Sequence, residues 1–208
     1  QYLIESDADE EPFSRDQRSL VYQRAKGVED KRPFGSRQRV YDAGYEWLTH
    51  SSVPKTVADP DFRVTIGGPD CRQPYAASIY NISAMSFGAL SGNAILALNK
   101  GAKMGGFAHD TGEGGISRYH RAGGGDLIYE VGSGYYGCRT PEGRFDPDRF
   151  REQAADPQVR MIELKLSQGA KPGHGGMLPA AKITPEIAEA RGIPMGQDCI
   201  SPAAHPEF

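Results

Sequence analysis

Thirteen residues at 167–179, SQGAKPGHGGMLP, put Gln168, Lys171 and His174 on one loop rich in glycine and proline. Glycine costs backbone entropy and proline removes a donor, so the stretch is expected to be neither helix nor strand interior. A lysine on a stiff loop is a compact point charge suited to a carboxylate or phosphate. Gln168 can donate and accept, and glycine amides can line an anion nest. Pro172 follows Lys171, so this is not the GxxxxGK[ST] phosphate loop. His174 is as readily a supporting donor as a catalyst.

Three other motifs offer chemistry. TGEGG (111–115) holds Glu113 between glycines, where a carboxylate could accept a proton, orient an ammonium or bond a cofactor; a solvated turn acid is the plain alternative. SAMSFGALS (83–91) carries small residues that let backbone approach a flat ring, or merely make a tight turn. Glu163 and Lys165 lie two apart in MIELKLS and face the same side of a strand, with Lys165 nearer its end. Glu113, Lys171 and Arg191 together could recognise a ligand that is both carboxylate and amine.

These loops need strands to hold them. FRVTIGG, YAASIYNISA, GFAHD, LIYEVGSGYYG and MIELKLS read as strands running into glycine turns. SGNAILALNKGAKMG reads as a helix capped by Ser91, residues 145–155 as a polar helix, and TPEIAEARG as a helix with Thr184 as cap and Gly192 past its end. GQDCISP is expected to begin one more strand. The alternation predicts an α/β fold with a parallel sheet, whose ligand loops lie at the C-terminal strand ends. Glycine loops after four successive strands, with no GxGxxG after the first, fit a (β/α)8 barrel better than a dinucleotide-binding sheet. Residues 61–208 suffice for about four or five βα units, so a partial barrel is predicted. Residues 1–60 are predicted to be an N-terminal arm, with a helix at 14–26 and Tyr41, Tyr45 and Trp47 packing on the barrel.

Composition narrows the classes. The 208 residues carry a formal net charge of −3 and are 38% hydrophobic, an ordinary soluble profile. No basic stripe suggests nucleic acid, and no apolar run is long enough to span a bilayer. Cys71, Cys138 and Cys199 form no CxxC pair and are expected to be reduced thiols of a cytoplasmic protein. The first residue is not Met and the chain closes on SPAAHPEF, so the N-terminal part of a longer protein is expected.

SAMSFGALS, TGEGG, SGYYG, IELKLSQGAKPGHGG and the following LPAAK…R…ISP resemble the FMN-binding synthase domain of glutamate synthase. QRSLVYQRAK and RPFGS…YDAGYEWL resemble its short form, which lacks a fused glutaminase. The resemblance implies a (β/α)8 barrel with FMN at its mouth. Reduced flavin there delivers a hydride to the imine formed from 2-oxoglutarate and ammonia, giving L-glutamate. Electrons come from ferredoxin or a pyridine-nucleotide-dependent subunit through a [3Fe-4S] cluster. By motif position it implies Glu113 and Lys171 as catalytic residues. Gln168, Lys171 and Arg191 would bind substrate, and Ala84, Met85, Ser86, Ser133, Lys165 and Gln168 would hold the flavin. None of the three cysteines matches a cluster ligand, so the cluster is expected only beyond this chain. A homo-oligomer is expected; a nucleic-acid or membrane partner is not.

Three positions depart from the family pattern. His174 stands where Glu is usual, Met177 where Gln is usual, and Asp110 where Asn is usual before TGEGG. The lost amide at 177 keeps another keto acid or amine donor as an alternative. A flavin-barrel isomerase acting on a diphosphate, and an inactive truncated chain, are the other two.

Overall fold

Short parallel strands carry the glycine loops, and their order follows the chain. The computed structural model describes residues 15–28, 40–46, 48–56, 58–59, 61–168 and 175–206. Two compact units divide at Arg39/Val40. In the first, α1 (Arg15–Ala25) forms where the helix was predicted; Val21 and Tyr22 on it are exposed. Ser14, the first residue of the predicted helix, lies outside the described residues.

The second unit opens with a hairpin, β1 (Arg63–Ile66) and β2 (Tyr75–Ser78), paired antiparallel. This corrects a purely parallel reading. The connection between them is too short for the crossover of a dozen or more residues that parallel strands need. Ile82, just beyond β2, bridges in parallel to His109. The sheet continues as β3 (His109–Asp110), β4 (Leu127–Val131) and β5 (Val159–Leu164), parallel throughout.

Helices fill the crossovers. α2 (Gly92–Gly105) starts where the Ser91 hydroxyl accepts from Ala94 N and stops at left-handed Gly106. The unpredicted α3 (Arg118–Ala122) follows, then α4 (Pro147–Ala154), capped by Asp146. α5 (Pro185–Arg191) has the foreseen Thr184 cap, Pro185 in its first turn and left-handed Gly192 after its end. Met177–Leu178 (β6) pairs antiparallel with Cys199–Ile200 (β7), so the end of the glycine loop does contribute a strand, against the sequence reading.

Two apolar clusters flank the strand ends. One packs Ile95, Phe87, Tyr136, Ile187 and Cys199; the other packs Leu127, Tyr129, Val131, Tyr135 and Cys138. β4 is buried along most of its length, whereas Ile162, Leu164 and Leu166 of β5 and its continuation are exposed. Of the aromatics expected to pack on the barrel, Tyr41 is 94% exposed and Tyr45 40%, and Trp47 lies outside the described residues.

Candidate active site

The loops after β3, β4 and β5 meet around one carboxylate. Glu113 of TGEGG accepts a 2.7 Å hydrogen bond at Oε2 from Gln168 Nε2, joining two motifs far apart in the chain. The same Oε2 lies 3.6 Å from Lys165 Nζ, and that ammonium lies 3.6 Å from Glu130 Oε1 on its other side. Glu130 and Glu163 are register partners on β4 and β5. Period-two alternation puts Lys165 on the same face as Glu163. The lysine is therefore threaded between a buried strand carboxylate and a loop carboxylate.

Close backbone approach holds Glu113 in this pose. A Cβ on Gly176 would sit 2.9 Å from Glu113 Oε1 and 2.7 Å from Ser201 Oγ, and one on Gly132 would sit 2.9 Å from Glu113 Cβ. Gly176 is fixed in turn: its N–H donates to Ser201 Oγ and its carbonyl accepts from Ser201 N, both at 2.9 Å. Glycine here answers a need for space.

Behind the lysine is an acidic cluster of Asp110, Glu130 and Glu163, with one oxygen from each within 4.8 Å of the others. Asp110 is pushed up to about 8: burial dominates, opposed by the Gly112 N–H that donates to its Oδ1 at 2.7 Å, and aided by the charges of Glu130 and Glu163. Glu130 is raised by burial, with Lys165 pulling the other way. At neutral pH Asp110 is a neutral acid hydrogen-bonded to Glu163. Asp110 was marked only as a departure from a family pattern, and Glu130 went unnoticed. Its signal was an acid inside the apolar run LIYEV, beside the Glu163–Lys165 strand.

The SAMSFGALS turn is anchored to the same strands. Met85 N donates to Asp110 O, and Met85 O accepts at 3.0 Å from His120 Nε2. Ser117 N donates to His120 Nδ1 at 3.1 Å, which fixes the Nε2–H tautomer. Burial lowers both His120 and His109 to about 4, so both imidazoles stay neutral. Gly112, at φ 66°, brings its Cα against Ser86 N, where an added Cβ would lie 2.6 Å away. Ala84 is exposed and Met85 and Ser86 are half-buried, so the turn offers backbone to a ligand.

The other predicted site residues fall as follows. Arg191 is 6% exposed, with its guanidinium over the Tyr136 ring and donating to Phe87 O at 3.4 Å and Cys199 Sγ at 3.5 Å. It backs the TGEGG loop, since a Cβ on Gly114 would lie 3.3 Å from its Nη2. Ser133 is buried and its hydroxyl donates to Pro202 O. Lys171 and His174 lie outside the described residues. A cleft of about 540 Å³ among α3, α4 and α5 is lined by Arg118, Arg149 and Glu186 but by none of Glu113, Lys165 and Gln168.

The molecule is thus of the α/β class, with a parallel sheet whose strand-end loops converge on Glu113, Gln168 and Lys165. Residues 70–208 match the conserved region in glutamate synthase, and the chain belongs to that family. It is 38% identical over 165 residues to a glutamate synthase large subunit-like protein of Bacillus subtilis, covering 78% of this chain and 31% of the relative. It is 36% identical over 190 residues to a glutamate synthase large subunit-like protein of Rhizobium meliloti, covering 88% and 40%. It is 41% identical over 123 residues to the archaeal-type glutamate synthase [NADPH] of Thermotoga maritima, covering 59% and 22%. The chain thus spans between about a fifth and two-fifths of these relatives. The family is one of oxidoreductases, and no described helix is long and apolar enough to cross a membrane.

Proposed function

We propose that this chain supplies part of the flavin and substrate site of a cytoplasmic glutamate synthase-like enzyme that reductively aminates 2-oxoglutarate to L-glutamate. The observation that carries this reading is the meeting of Glu113, Gln168 and Lys165 at adjacent parallel strand ends. In this reading the sheet is the first part of a (β/α)8 barrel, residues 61–208 belong to it, and residues 1–60 form its arm.

The residues fit FMN: a half-exposed backbone turn at Ala84, Met85 and Ser86, with Lys165 and Gln168 as donors from the neighbouring strand end. Ser133, bonded to Pro202, would support the pocket rather than donate to the flavin. When bound and reduced, FMN supplies the hydride. The protein's part is to bind, orient and manage protons. Glu113, surrounded by further carboxyls, would draw in ammonium and accept its proton as it adds to the keto carbon. Gln168 engages Oε2 of Glu113, and Oε1 lies beside Gly176 with no hydrogen bond to it among the described residues. Lys171 would hold a substrate carboxylate. Arg191, buried behind the loop, would act on the second carboxylate through the loop it supports.

The carboxyl groups of Glu113, Glu130 and Glu163 around one described ammonium disfavour a diphosphate substrate. Two relatives and more carry NADPH in their names, which favours a pyridine-nucleotide-dependent donor over ferredoxin. The family's iron–sulfur cluster would be bound outside this chain, because Cys138 and Cys199 are buried in different apolar clusters and Cys71 is exposed.

The test is an absorption spectrum of the intact protein, followed by dithionite reduction under argon. Flavin bands, with reoxidation only when 2-oxoglutarate and ammonium are both present, support the reading. Bound flavin that neither substrate reoxidises moves the substrate elsewhere, with Met177 the first position to change. A folded protein without flavin overturns the reading.

A further inference from the structure

We propose that Glu130 is a positioning residue: it holds the Lys165 ammonium from behind, against Glu113 in front, and so sets how much positive charge Lys165 presents at the strand ends. This role for Glu130 rests on the reading of the site as a flavin site.

The geometry is specific. Glu130 is 1% exposed, and its Oε1 is buried without a hydrogen bond among the described residues. Among the described residues, the cation paired with that oxygen is Lys165, at 3.6 Å. A carboxylate kept in such a place without compensation is costly, so the pair is mutually required. Lys165 Nζ is equally 3.6 Å from Glu113 Oε2. Neither contact is a short hydrogen bond, so the ammonium is balanced between two carboxylates and keeps donors for a ligand.

The neighbours define the charge. From β3, Asp110 faces the cluster as a neutral acid; from β5, Glu163 receives its hydrogen bond; from the β3 loop, Glu113 faces Lys165. Glu113, Glu130 and Glu163 thus bring three further carboxyl groups to one described ammonium. This surplus of carboxyl groups over cations disfavours an electron-rich group at the strand ends, and Lys165 works against it. Removing the charge of Glu130 releases the ammonium towards the site and leaves its positive charge less neutralised there, while making its proton easier to lose.

Glu130→Gln keeps the shape and removes the charge. In the intact, flavin-loaded protein, binding of reduced over oxidised flavin is expected to strengthen about tenfold, a rise of about 30 mV in the two-electron midpoint potential. Repeated in a Lys165→Met background, the same substitution is expected to change that ratio less than about twofold. A merely structural role for Glu130 would not give a rise that depends on Lys165. An unchanged or lowered potential, or an equal rise in both backgrounds, overturns the proposal.

A second readout needs no flavin. In flavin-free protein, acylation of Lys165 by acetic anhydride at fixed pH, followed by mass spectrometry of the lysine peptide, is expected to quicken about tenfold in Glu130→Gln. Absence of bound flavin in the wild-type protein, with this acceleration still seen in Glu130→Gln, would sink the flavin reading and keep the positioning role. Unchanged acylation would sink the positioning role whatever the flavin does.

Discussion

Replacing Asp110 with Asn should stabilise the protein, and by an amount that grows with pH. Asp110 ionises near 3.8 when unperturbed and is pushed up to about 8 in the fold, chiefly by burial. Between those values the native state holds a proton that the unfolded chain has released. Stability is therefore present in full below about pH 4 and is lost as pH rises towards 8, at about 1.4 kcal/mol per pH unit. At pH 7 the accumulated cost is about 4 kcal/mol at most. Asparagine bears no such cost and keeps both contacts: its Oδ1 can accept from Gly112 N, as Asp110 does at 2.7 Å, and its amide can donate to Glu163. Urea titrations of the intact protein at about pH 4, 6 and 8 would measure the difference, with circular dichroism as readout. We expect the variant to match the wild type near pH 4 and to exceed it by about 2–4 kcal/mol near pH 7. Parallel profiles, or a variant less stable than wild type at pH 8, would show that Asp110 is ionised in the native state and that the reasoning is wrong.

Other expectations concern the site and its supports. Gly176→Ala must displace Glu113 or Ser201, because its Cβ would intrude on both; turnover should fall at least about tenfold with the circular dichroism spectrum intact, and unchanged turnover would remove Glu113 from the mechanism. His120 is lowered from 6.5 to about 4, so its contribution is complete above pH 6.5 and lost as pH falls towards 4, about 3 kcal/mol at most. His120→Gln should therefore lose less stability than wild type between about pH 7 and 4.5, and an identical acid limb would refute the neutral imidazole. Thr184→Ala removes the hydroxyl that accepts from Ile187 N and should cost about 1 kcal/mol in urea titration, whereas Thr184→Ser should restore it. The 208-residue chain alone should show no turnover with a chemical reductant, 2-oxoglutarate and ammonium; measurable glutamate would contradict the view that later strands complete the site.

Much of this arrangement is legible in the sequence, for local reasons. Ser91, Thr184 and Gly192 announce helix ends through chemistry confined to a few residues, and α2 and α5 begin and end where they say. Glu113 and Gln168 were marked by glycine-rich loops after strands, and those loops do meet. The misses involve partners distant in the chain. β6 exists because Met177–Leu178 finds Cys199–Ile200, which no local signal in a glycine loop could reveal. α3 is five residues between glycines, too short for periodicity; only its capping box, Ser117 with His120, could have disclosed it. Arg191 reads as a substrate cation in company with Glu113 and Lys171, and only the packing of Tyr136 and Phe87, distant in the chain, shows that its side chain is buried. Glu130 looked like one acid in an apolar strand until β5 brought Lys165 beside it.

β4 lies between two parallel neighbours, whereas β5 has β4 on one side and no paired strand on the other among the described residues. Glu130 thus stands on the interior strand, while Lys165 and Gln168 extend from the outer one. Amide protons of β4 should exchange with solvent only through global opening, and those of β5 through cheaper local excursions. Each excursion would carry the lysine and glutamine away from a glutamate pair that stays in place. The constellation is then a latch with one fixed and one yielding jaw, and its closed fraction is governed by whatever segment or ligand secures the yielding side.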